Sequence, residues 1–151
     1  GKDGMLSIRQ RLARDESGFT LIELLVVLII IGVLLAIAIP SYLGFQKKAQ
    51  QTAAASDVRQ AIPDAVAYYS DNNNYTALSV SALQGYDSGL QKYVAASGST
   101  PETPGIVTAK GGATKFCISA EDAGNWASVI GPGNTVTSGQ TTDACASWTA
   151  S

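Results

Sequence analysis

Glu23 is the residue of this chain whose position most needs a chemical explanation. It lies at the edge of an apolar run, and no further charge follows it until Lys47. On insertion scales an acidic side chain at the centre of a membrane helix is disfavoured by about 2.5 to 3.5 kcal/mol, and by less near a boundary. An acid kept there is by default a functional group, able to attract a cation where the dielectric is low; the plainer reading is a side chain that snorkels to the headgroups. Directly before it runs Gly18-Phe19-Thr20-Leu21-Ile22, in which a glycine closes a short charged leader.

Cys117 and Cys145 form the second candidate group. Both lie beyond the apolar run, and an even count in an oxidising compartment suggests a disulfide, worth about 3 to 4 kcal/mol in the chain-entropy model. The other reading is two buried free thiols. The chain has no histidine, so a zinc site lacks partners and no Ser-His or Cys-His nucleophile pair can form. The adjacent carboxylates Glu121 and Asp122 fall in an expected hairpin turn, where solvated acids are ordinary and two calcium ligands are a weak signal. No metal, cofactor or enzymatic activity is therefore expected.

The elements that position these residues begin with Leu24 to Ile39, which contain no polar side chain. With its flanks this run is long enough to span a hydrocarbon core. It is longer than the core of a signal peptide, and Pro40-Ser41-Tyr42 makes a poor signal cleavage site. Arg9, Arg11 and Arg14 precede the span, which places the N-terminus in the cytoplasm and the residues after Pro40 outside. From Phe19 onward six Lys/Arg face nine Asp/Glu, so no nucleic-acid footprint is expected; Lys47-Lys48 reads as a solvated helix face.

Beyond the span, Val58, Ile62, Ala65, Val66 and Tyr69 form an apolar stripe at helical spacing, which predicts a helix continuing to about Ser70. Asp71 to Asn74 should stop it, and Pro40 and Pro63 should each kink or locally break it. Tyr75 to Pro104 reads as a loop with a short helix near Ala82 to Tyr93. Strands are expected over Gly105 to Lys110, Lys115 to Ala120, Asn125 to Ile130 and Asn134 to Thr137, as an antiparallel meander covering the helix stripe. Phe116 and Ile118 share a face of their strand, and Trp126, Ser128 and Ile130 share a face of theirs, so one side of the sheet is expected to pack on the helix stripe with these residues. The expected class is α+β, a long N-terminal α-helix packed on a C-terminal antiparallel β-sheet.

The stretch Gly18-Phe19-Thr20-Leu21-Ile22-Glu23-Leu24-Leu25, with its basic leader and apolar helix, closely resembles the type IV pilin family. The likeness is strong from Met5 to about Lys48, including Gly32 and Pro40, and looser through the remaining helix, sheet and cysteine pair. Met5 resembles a start position, which leaves the leader length open. The resemblance implies a major pilin precursor of the type IVa kind, in which a prepilin peptidase cuts between Gly18 and Phe19 and methylates the new Phe19 amine. It implies three segments: a cleavable leader over 1–18, a transmembrane assembly helix over 19–46 and an extracytoplasmic domain over 47–151.

The resemblance further implies that Glu23 attracts the Phe19 amine of a neighbouring copy and sets its register, that Gly32 allows close helix approach, and that Gly32 and Pro40 bracket an extensible segment. Partners would be membrane lipid before assembly, the peptidase, the membrane assembly platform and other copies in a helical filament at the cell surface. A major pseudopilin of type II secretion and a competence pilin are the alternatives within the family; the cysteine pair favours the pilus.

Overall fold

The computed structural model describes residues 18–150, so the leader residues Lys2, Arg9, Arg11 and Arg14 lie outside the described residues. Helix α1 covers Leu21–Asn72. The chain divides after Gly44 into two units.

In the first unit α1 carries Leu, Ile and Val almost without interruption, and every one of these side chains is exposed, from 46 % at Ile31 to 88 % at Leu21. Nothing in the unit covers them. Among the described residues α1 alone is long and apolar enough to cross a membrane. The helix continues through Pro40 and Pro63, so neither proline ends it. Each proline removes only one intrahelical bond, and around Pro63 both it and Arg59 are exposed, where water can replace the lost partner.

In the second unit the helix buries Ala54, Ala55, Val58, Ala61, Ala65 and Tyr68. The spacing 54, 58, 61, 65, 68 is a narrow seam, rotated from the expected stripe: Val66 and Tyr69 are exposed and Ile62 is half-buried. Alanine wins over the larger residues because it lets the helix backbone approach the bulky Phe116, Ile118 and Ile106 of the sheet. The helix ends at Asn72, two residues beyond the expected stop, where Asn73 takes a left-handed backbone (φ 56°).

The expected helix near Ala82 to Tyr93 is shorter and earlier. Helix α2 spans Val80–Tyr86, with Ser79 as its N-cap accepting from the Ala82 N–H at 3.1 Å. It stops because Asp87 folds back on the Gly89 N–H, and the chain then runs extended beside the sheet, bridging Lys92 to Ile106 and Val94 to Thr103.

The sheet is an antiparallel meander in the order β1 (Gly105–Gly111), β2 (Phe116–Asp122), β3 (Asn125–Gly131), β4 (Thr137–Gln140). The first three strands lie within two residues of expectation. The fourth starts three residues late, because the loop after Gly131 is longer than a tight turn and is tied back by Asn134 Nδ2 donating to Ile130 O. The architecture is α+β, as expected, with helix on sheet.

Cross-strand pairing sets which side of each strand meets the helix. Ile118 pairs with Val129 and Ala120 with Ala127, and all four enter the core. Partners share a face, so Trp126, Ser128 and Ile130 point to the opposite side of the sheet from Phe116 and Ile118. Their reading as a core face for the helix is corrected by this register. On that second face Cys117 and Ser119 are also buried, so β2 is covered on both sides.

Candidate functional site

The first turn of α1 holds the motif residues together. Gly18, Phe19 and Thr20 lie outside the helix, which begins at Leu21. The Thr20 N–H donates to Glu23 Oε2 at 3.1 Å, and the Glu23 N–H donates back to Thr20 Oγ1 at 3.3 Å. This is a capping box: two amides that the helix cannot satisfy are satisfied reciprocally, and the carboxylate sits where the helix dipole favours negative charge. The pattern Thr20-Leu21-Ile22-Glu23 was a readable signal for it, and Thr20 is the functional candidate that reasoning from Glu23 alone missed.

The arrangement leaves the Gly18–Phe19 peptide in non-helical backbone, exposed, immediately ahead of a fixed helix start. A bond so placed is open to a peptidase, and its hydrolysis would create an amine one residue before Thr20. Further along α1, a Cβ at Gly32 would meet nothing within 4 Å, so the glycine presents a notch to whatever lies outside the chain. Pro40 is exposed.

Cys117 and Cys145 are joined by a disulfide, with Cα atoms 5.6 Å apart and a sequence separation of 28. Both are fully buried. The bond anchors the C-terminal segment on the second face of the sheet, where Thr108 Oγ1 donates to Asp143 Oδ2 at 2.6 Å and Lys110 Nζ donates to Ala146 O at 3.0 Å. The thiol alternative is thereby removed.

Glu121 and Asp122 close β2 at a two-residue turn whose Ala123 and Gly124 both have positive φ, the mirror-type hairpin turn. Glu102 Oε1 accepts from the Ala123 N–H at 2.9 Å and brings a third carboxylate to this end. Burial first, then the neighbouring Glu102, raises the carboxyl pKa of both Glu121 and Asp122 above the ordinary value; burial and then Asp122 do the same to Asp57. Among the described residues no group of three or more metal-type side chains converges.

Residues 13–39 match the family model described as the prokaryotic N-terminal methylation motif. That match frames the Gly18–Phe19 bond, the capping box and the apolar half of α1. These residues carry a pilin-type N-terminal motif. The chain's similarity extends to a type II secretion system core protein G of Aeromonas hydrophila, 39 % identical over 84 residues that make up 55 % of each chain. It is also similar to a type IV wide pilus major component of Thermus thermophilus, 42 % identical over 42 % of this chain and 49 % of that one. A fimbrial protein of Pseudomonas aeruginosa is 51 % identical over 45 residues, 30 % of this chain and 29 % of its own. The chain thus spans about half the length of the first two relatives. No solved structure matches.

Proposed function

We propose that this chain belongs to the type IV pilin family and is the precursor of a structural subunit of a type IV pilus of the type IVa kind. Prepilin peptidase cuts it between Gly18 and Phe19 and methylates the Phe19 amine. The leader 1–18 is removed, 19–46 acts as transmembrane and assembly helix, and 47–151 forms the extracytoplasmic domain on the filament exterior. Before assembly the precursor crosses the inner membrane once, N-terminus in the cytoplasm; afterwards it lies in a surface filament of many copies, delivered by a membrane assembly platform.

One observation carries the reading: the apolar half of α1 buries none of its side chains within the chain. Lipid can cover it first and sister helices afterwards, with van der Waals packing favoured at Gly32. Glu23 supplies the register, because a carboxylate–ammonium pair in low dielectric depends steeply on distance. The subunit has an assembly role rather than an enzymatic one.

A second reading has specific support. The likeness to the core protein of type II secretion covers a larger share of this chain than the likeness to the pilus component, which favours a major pseudopilin. The disulfide that pins the C-terminal segment weighs toward the pilus.

The N-terminal mass of protein sheared from the cell surface tests the proposal. A chain beginning at methylated Phe19 is expected. A surface chain that retains Arg9 to Gly18 would overturn processing, and a methylated chain absent from surface filaments but required for secretion would turn the reading to the pseudopilin.

A further inference from the structure

We infer that Thr20 is the positioning residue of this segment: it holds the Glu23 carboxylate at the first turn of α1 until the Phe19 amine of another copy engages it. The inference rests on the reading above that Glu23 sets the register between copies.

Thr20 acts through two groups at once. Its N–H donates to Glu23 Oε2 at 3.1 Å, its Oγ1 accepts from the Glu23 N–H at 3.3 Å, and its carbonyl accepts from the Leu24 N–H at 3.3 Å. The three bonds fix both the helix start and the direction of the acid. Side chains of a helix lean toward its N-terminus, and the cap draws this one toward the end of the chain where Phe19 stands.

The physical need follows from the surroundings. Leu21, Ile22, Leu24 and Leu25 around the acid are all exposed apolar residues, so whatever covers them offers Glu23 little hydration. A carboxylate there is tolerable when donors from its own chain hold it. Thr20 engages only Oε2, which leaves Oε1 to accept a second donor. An ammonium is a stronger donor than an amide, because its hydrogen bond is charge-assisted. Arrival of a neighbour's amine therefore improves on the cap, and the acid need not pass through an unpaired state.

A merely structural cap would act whether or not residue 23 is charged, and this separates the two roles. Full-length Thr20→Val, Thr20→Ser, Glu23→Gln and the double variant Thr20→Val/Glu23→Gln are each co-expressed with the unaltered chain in a filament-forming host. Mass spectrometry reads processing in the membrane fraction and the share of each variant in sheared filaments. Thr20→Val is expected to be inserted and processed but depleted about fivefold in filaments, the factor that corresponds to loss of a typical cap. Thr20→Ser, which keeps the hydroxyl, restores the share, and the double variant is depleted no further than Glu23→Gln.

Undiminished incorporation of Thr20→Val beside depleted Glu23→Gln would overturn the positioning role and leave the register reading standing. An equal loss from Thr20→Val in both backgrounds, or failure of that variant to be processed, would also overturn it, since Thr20 would then act on the helix start or on the peptidase. Full incorporation of Glu23→Gln would remove the register reading itself, and this inference with it.

Discussion

Gly131 lies against the ring of Phe116, its cross-strand partner, so closely that a Cβ at residue 131 would overlap three carbons of the ring. Phe116 is buried and also stacks on Tyr75, with ring centroids 4.9 Å apart, so it has little room to yield. The missing side chain on β3 is what makes room for the ring of Phe116, the largest fully buried side chain among the described residues.

Gly131→Ala is therefore expected to destabilise the chain by about 1 to 3 kcal/mol, the usual range for overpacking. Gly85→Ala is the control: it lies within α2 with nothing within 4 Å of the new methyl, and it should be neutral or stabilise by up to about 1 kcal/mol. Denaturant midpoints of the full chain in detergent measure both. Equal midpoints for the two variants would mean that Phe116 can move aside.

Reduction of the Cys117–Cys145 bond frees a loop with 28 residues of sequence separation. The chain-entropy model sets the loss at about 3.5 kcal/mol. Thermal unfolding with and without reductant should show a large drop in midpoint, and alkylation of the unreduced chain should modify neither cysteine. Labelling of both thiols before reduction would contradict the bond.

Acidity should stabilise the second unit at the turn after β2. Asp57, Glu121 and Asp122 have raised pKa values, caused first by burial and then by Asp122 for Asp57 and by Glu102 for Glu121 and Asp122; near the end of α2, Asp64 is raised by burial and then by Asp87. A raised native pKa means that the folded chain takes up protons more readily than the unfolded one. The stability from these groups is thus fully present below the ordinary carboxylate range and is lost as pH rises through the raised values. The unfolding midpoint is expected to rise on acidification from neutral pH to that range, and Asp122→Asn should flatten the rise. A midpoint independent of pH in both proteins would refute the mutual repulsion.

Much of the fold was legible because it depends on local chemistry. A run of apolar residues from Leu24 to Ile39 makes a helix wherever it is placed, and Gly-bearing turns separate four strands whatever they pack on. Where expectation slipped, the deciding term was non-local. Val66 and Tyr69 look as apolar as Val58, but the helix turns its alanines inward because only they let it lie close to Phe116 and Ile118. Trp126 has the larger apolar surface on β3, yet Ala127 and Val129 enter the core because they pair with Ala120 and Ile118. The short helix was misplaced for a local reason: Ser79 is an N-cap, and Asp87 with Gly89 forms the stop.

The candidate site divides in the same way. The sequence by itself determined the motif from Gly18 to Glu23, the apolar helix that follows it and the presence of two cysteines, because covalent order and hydrophobicity need no tertiary context. The box between Thr20 and Glu23 also belongs to the sequence, since its partners are three residues apart. Only the tertiary structure decided that Cys117 and Cys145 meet, that Asp122 comes near Asp57 and Glu102 near Glu121 and Asp122, and which face of each strand is core. These join residues far apart in the chain, and the sheet's register, set by packing against the alanine seam of α1, brings them together.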